Sequence, residues 1–292
     1  MDGRPIWMPD TSTVNALADD PDGEALIAGL RSGYFVRFPF TTVSEIVATT
    51  LGARRKHLLR VCRRLLLSAG DCVEPHHEII KVMVAQFEKS LPIGLAHVNL
   101  RMEEAENEIL REENFDDKLA TQEREEGRAH NKVFVDVYAD AKNAFDKLAA
   151  TGIAMPTTVA ELVSQLQQGG AFWTLARNLY ERVATIPADD GAIKRFYAEC
   201  EPFRALMIAV FAAQFDRCIR PTNEGPSLKS GMNDTFMATC LPYCDQFVTN
   251  DDGQLACYKE VVPLVGLNVT VRSYKEFRNS FFLVSATADS VR

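Results

Sequence analysis

Residues 231–252 read GMNDTFMATCLPYCDQFVTNDD, and this stretch decides the fold. A short helix, a turn at Leu241-Pro242 and a buried strand over Gln246 to Asn250 follow one another, and two acids close the strand. Asp234 falls in the first turn of the helix, where exposed N–H groups and the helix dipole favour a carboxylate. Gln246-Phe247-Val248-Thr249 shows no polar alternation, as expected of a strand covered on both faces. Asp251 and Asp252 then sit at its carboxyl end, the edge of an open α/β sheet where ligands collect. Taken alone, the same residues also read as a helix cap and an Asp-Asp-Gly turn.

Working outward, the N-terminal end repeats the arrangement. Pro5-Ile6-Trp7-Met8-Pro9 is an apolar run of strand length, and Asp10-Thr11-Ser12-Thr13 follows it, placing Asp10 at a strand end with hydroxyl residues to cap the next helix. Val14 to Leu30 has helical spacing broken at residues 19–23. Tyr34 to Phe38 is a second strand. Thr42-Val43-Ser44-Glu45 opens a helix expected to run to about Ser68, which puts Glu45 near the carboxyl edge of that strand. Asp71 to Pro75 reads as a short strand or connector, and His76 to Lys89 as a helix. Near the other end, Gln254 to Glu260 is a short helix, Asn268 to Val271 a last strand, and Ser273 begins a terminal helix.

The middle of the chain is different. From about Leu100 to His130 it is helical and strongly acidic with few apolar residues, as in an exposed helix or helical hairpin. Val133 to Leu148 is amphipathic. Thr158 with Glu161 three residues later marks a helix start. Three further helices are expected over Phe172–Val183, Lys194–Cys200 and Phe203–Arg217, and a loop over Cys218–Lys229. Strands alternating with helices at both ends, around a helical middle, predict one parallel-sheet α/β domain carrying an all-helical insertion.

Bulk properties narrow the function. The formal charge, 32 − 40 = −8, argues against indiscriminate coating of nucleic acid. A local exception lies at residues 54–64, where Arg54, Arg55, Lys56, Arg60, Arg63 and Arg64 put six cations in eleven residues. Such a run reads either as a solvated helix face or as a phosphate-contacting ridge beside the acids. The apolar runs fall short of a membrane span, and the opening residues resemble neither a signal nor a transit peptide. Seven scattered cysteines suit free thiols in a cytoplasmic protein. Cys240, Cys244 and Cys257 lack the second ligand pair that a zinc site needs.

Taken together, the acidic motifs resemble the PIN-domain family of metal-dependent nucleases. The matching pieces are PDTSTVNAL around Asp10, TTVSEIVATT around Glu45, MNDTFMATC around Asp234 and DQFVTNDDGQL around Asp251, with VTVRSYKEF as the closing strand and helix. The resemblance implies an α/β/α sandwich on a parallel sheet, with residues 1–95 and 228–292 as the nuclease domain and 96–227 as a helical insertion between the second and third acidic motifs. It implies Asp10, Glu45, Asp234 and Asp251 as catalytic acids holding Mg²⁺ or Mn²⁺, supported by Thr11, Asn15, Thr249 and the neighbouring Asp252. The implied activity is endonucleolytic hydrolysis of phosphodiester bonds in RNA. The insertion departs from the family pattern and is expected to cover the site, form a homodimer or bind a protein partner. A silent PIN-like scaffold that binds RNA or a protein is the alternative, and the nuclease half of a toxin–antitoxin pair is a third reading.

Overall fold

A computed structural model of the chain describes residues 3–94, 117–220 and 231–289. The first part of the expected acidic helix (100–116) and most of the expected loop (221–229) lie outside the described residues. Five strands, β1 (Ile6–Pro9), β2 (Phe35–Pro39), β3 (Gly70–Val73), β4 (Gln246–Thr249) and β5 (Thr270–Ser273), form one sheet of order β3-β2-β1-β4-β5. Every pairing is parallel, with Trp7 opposite Val36 on one side and Met8 opposite Phe247 on the other. The chain thus runs outward from β1 through β2 to β3, then returns to the far side of β1 at β4. That reversal makes a topological switch point between β1 and β4.

Neighbouring residues of β1, β3 and β4 feed opposite cores, the two-residue period of a strand covered on both faces. Met8, Val73 and Phe247 belong to one core; Trp7, Cys72 and Val248 belong to the other. The second core is closed by α1 (Thr11–Asp19), α2 (Gly23–Gly33), α3 (Phe40–Val47), α4 (Gly52–Ala69) and α13 (Tyr274–Asp289). The first is closed by α5 (His76–Glu88), α7 (Val159–Gln168), α8 (Ala171–Glu181), α9 (Asp190–Glu199), α10 (Glu201–Cys218), α11 (Met232–Met237) and α12 (Asp252–Val265). Helices therefore cover both faces, an arrangement compatible with an α/β/α sandwich. Phe203 and Met207 of α10, which lie within the expected insertion at 96–227, share a core with Met8 and Phe247 of the sheet.

Between α5 and β4 the described residues contain only helices, and the longest is α6 (Asp117–Ala150), a single helix across the junction where two were expected. It is pinned at two places. The Arg124 guanidinium donates to the carbonyl of Ala48 at the end of α3, and Tyr138 donates its hydroxyl to the carbonyl of Val210 on α10. Arg217 of α10 lies over the rings of Phe134 and Tyr138.

Three local differences from the sequence expectation stand out. The helix expected over Thr42–Ser68 is two helices, because Leu51 takes an extended conformation (φ −84°, ψ 106°) after the β-branched Thr49-Thr50 pair. The helix after Asp251 runs past Pro263 to Val265 and ends at Gly266 with φ 78°, a conformation that favours glycine. The last strand starts two residues later than expected, at Thr270. Elsewhere the local rules hold: Thr158 caps α7 by accepting from the Glu161 N–H at 3.1 Å, and Glu161 accepts in return from the Thr157 N–H at 2.7 Å. At Gly70 a Cβ would stand 2.7 Å from the carbonyl oxygen of Val36, so only glycine lets β3 enter the sheet there.

Candidate functional site

The switch point gathers the acids. Asp10 follows β1 and caps α1, its Oδ1 accepting from the Thr13 N–H at 2.7 Å. Its Oδ2 accepts from the hydroxyls of Ser12 at 2.6 Å and Thr249 at 2.8 Å, the latter from the end of β4. Only 4 % of Asp10 is exposed, and burial pushes its carboxyl up from the usual carboxylate value despite these donors. Thr249 is fully buried and also receives the Asp251 N–H at 2.9 Å, so one hydroxyl joins the two strand ends.

Glu45 stands in α3, the short helix that the break at Leu51 separates from α4. Thr11 donates its hydroxyl to Oε2, and Asn233 donates its amide to Oε1 at 2.8 Å. Burial raises this carboxyl, and the nearby Asp10 carboxylate raises it further. Asp234, in the first turn of α11, accepts from the Gly231 N–H at 2.6 Å. Its carboxyl is pushed up to about 7, first by burial and then by the charges of Glu45, Asp251 and Asp10. Tyr258 of α12 donates to the Asp234 carbonyl and fixes the turn from below.

Asp251 caps α12, its Oδ1 accepting from the Gln254 N–H at 2.8 Å. Of the two adjacent acids, it is Asp251 whose charge bears on Asp234; Asp252 is the exposed first residue of the helix. Asn15 donates to the Thr11 carbonyl at 2.9 Å and accepts from Arg54 at 2.8 Å, so a chain of bonds runs from Arg54 through Asn15 and Thr11 to Glu45.

The basic residues of α4 divide by surroundings. Arg54 pairs with Asp19 of α1 and Arg64 with Glu24 of α2. Arg55 is buried and donates to the Thr49 carbonyl. Lys56 and Arg60 are exposed, and Arg63 is half-buried. The run is therefore partly a packing device between α4 and its neighbours.

A cavity of about 150 Å³ opens on the acids, lined by Glu45, by Gly231, Met232, Asn233 and Asp234 around the start of α11, and by Gly127 and Asn131 of α6. Sequence reading missed Ser12, Asn233 and Tyr258. Ser12 and Asn233 are each adjacent to residues singled out as acidic-motif members, which is a usable signal; Tyr258 and the α6 residues carry none. Oxygen donors without thiolate or imidazole suit Mg²⁺ or Mn²⁺. As the side chains stand, however, no three His, Cys, Asp or Glu among the described residues are grouped closely enough to hold a metal ion. The cysteines at 240, 244 and 257 are buried thiols, with Cys240 pushed up to about 12 by burial. No family model, curated protein or solved structure matches the chain. Among the described residues no helix is long and apolar enough to cross a membrane.

Proposed function

We propose that the chain is a PIN-like, metal-dependent endoribonuclease whose acidic centre is Asp10, Glu45, Asp234 and Asp251. The observation that supports the reading is the convergence of four acids from β1, α3, α11 and the end of β4 on one sheet edge, where Thr249 bonds to Asp10 and Asn233 to Glu45, and where burial first and then the charges of Glu45, Asp251 and Asp10 push the Asp234 carboxyl up to about 7. Carboxylates brought together without a cation repel one another, and a divalent ion removes that cost. Glu45 and Asp234 line the cavity and would hold Mg²⁺ or Mn²⁺ there, with Asp10 and Asp251 behind them. The bound ion would supply a water acidic enough to attack a phosphodiester and would neutralise charge on its oxygens. The chain's own part is orientation. Ser12 and Thr249 hold Asp10, Thr11 and Asn233 hold Glu45, and the Gly231 N–H holds Asp234. Exposed Lys56 and Arg60 would attract the RNA backbone.

The alternative, a silent scaffold for RNA or a protein partner, draws support from the same acids being engaged by neutral donors rather than grouped around an ion site. Incubation of wild type, Asp10→Asn and Asp234→Asn with labelled single-stranded RNA in Mn²⁺, with a chelator control, separates the two. Metal-dependent cleavage lost in both folded variants supports the nuclease. Mn²⁺ binding absent by calorimetry would leave the scaffold.

A further inference from the structure

Helix α6 carries a glycine where a helix gains least from one. Gly127 lies in the interior of a helix of 34 residues, where alanine would be more favourable on backbone entropy alone. Its backbone makes no turn, so conformation does not call for glycine. Nor does crowding: a Cβ built at Gly127 meets no atom within 4 Å. The open space adjoining it is the cavity over Glu45 and Asp234, which Gly127 lines together with Asn131 one turn later. Two independent features therefore coincide, an unfavoured residue type and an opening onto half-buried acids.

The volume bounds what enters. About 150 Å³ is the share of roughly five waters at ~30 Å³ each. That is enough for one phosphodiester group and too small for a base pair. Arg124, one turn before Gly127, is tied to the Ala48 carbonyl, so this wall is anchored to the helix that bears Glu45.

We infer that Gly127 is the access-determining residue of the site: its missing side chain is the entrance through which one phosphodiester of a single strand reaches Glu45 and Asp234. This rests on the nuclease reading above. It assigns α6 to the first of the three roles expected for the helical middle, covering the site.

The test compares wild type with Gly127→Leu, Gly127→Ala and Ala129→Leu, the last an exposed position of the same helix. Two readouts are taken, Mn²⁺ binding by calorimetry and Mn²⁺-dependent cleavage of one labelled RNA presented single-stranded or as a duplex. All variants are expected to melt at or above the wild-type temperature. Gly127→Leu is expected to retain Mn²⁺ binding while single-strand cleavage falls by about a hundredfold, the scale of a mis-seated reacting group. Gly127→Ala should fall between it and wild type, Ala129→Leu should match wild type, and the duplex should stay intact throughout. Wild-type cleavage by Gly127→Leu overturns the entrance and leaves the nuclease standing. Equal loss in Ala129→Leu, or loss of Mn²⁺ binding in Gly127→Leu, also overturns it, because bulk on α6 would then act on the fold or the acids rather than on access. A wild-type protein that neither binds Mn²⁺ nor cleaves removes both readings.

Discussion

Two groups of carboxylates in this molecule are treated in opposite ways. Asp71 lies inside the sheet on β3, and its neighbour across the ladder is Arg37 of β2. Nε and Nη2 of Arg37 donate to the two Asp71 oxygens at 2.6 Å each, and Nη1 donates to the Tyr243 carbonyl at 2.9 Å. Charge and hydrogen-bonding capacity are both matched, as a buried ion pair requires. At the carboxyl edge of the same sheet, Asp10, Glu45 and Asp234 are bonded by hydroxyls and amides, and the charges that bear on Asp234 are other carboxylates. The difference teaches where to look for chemistry. Asp71 is given its counter-ion in the fold, whereas Asp234 meets only like charges, the kind of arrangement in which shifted carboxyls are found at sites.

The largest expected effect comes from spoiling the matched pair. Arg37→Met strands the Asp71 charge in the sheet and should cost about 3–5 kcal/mol in urea unfolding. Arg37→Met with Asp71→Leu should regain most of it; a double variant as unstable as the single would mean that the pair is not what the two residues supply. At the acid edge the sign should reverse. Asp234→Asn keeps an acceptor for the Gly231 N–H and removes a repelled charge, so in metal-free buffer above neutral pH the folded state should be more stable than wild type.

The pH dependence sharpens the same contrast. A carboxyl whose folded value lies above its unfolded one favours the folded state fully below the unfolded value, and this advantage is lost as pH rises through the folded value. For Asp234 that window runs from about 3.8 to about 7. Metal-free stability should therefore fall across it, by up to about 1.4 kcal/mol per pH unit. Asp216 on α10 adds a parallel share: burial raises it to about 7, although Arg220 stands 3.1 Å away and Arg217 also lowers it against the charge of Glu260. Asp234→Asn and Asp216→Asn should each flatten part of the slope. Saturating Mn²⁺ should flatten only the Asp234 part, and an unchanged slope in Mn²⁺ would count against ion binding at the acids.

Smaller effects follow for the groups that hold the acids. Thr249→Val removes the hydroxyl shared by Asp10 and the Asp251 N–H, and should lower Mn²⁺-dependent cleavage about 10–100-fold with little change in secondary structure by circular dichroism. Thr158→Ala, remote from the acids, should cost about 1 kcal/mol of stability and leave cleavage untouched.

β1, β2 and β4 were legible because a strand covered on both faces is a short, largely apolar run, whereas β3, with Asp71 in it, read as a strand or connector and β5 was expected two residues early. The acids were legible as candidates because they sit just beyond such runs or open a helix, and Asp10, Asp234 and Asp251 do fall at helix starts beside the switch point. What the chain order hides is lateral. The break at Leu51 is easily overlooked because the apolar spacing continues through it, and the β-branched Thr49-Thr50 pair before it is a weak signal by itself. That β1 lies between β2 and β4 is a property of pairing rather than of periodicity. The approach of α6 to Glu45 hangs on single contacts such as Arg124 with Ala48, and a glycine inside an acidic helix looks like noise until its surroundings are seen.

The bond between Thr249 and Asp10 spans 239 positions of the chain, and that between Asn233 and Glu45 spans 188. At synthesis rates of roughly 5–20 residues per second, a growing polypeptide carries Asp10 for on the order of ten seconds or more before Thr249 exists. During that interval β1 has one of its two neighbours and Glu45 lacks its amide donor. The acid edge is therefore incomplete on the nascent chain and is assembled only when the last quarter of the sequence closes the sheet.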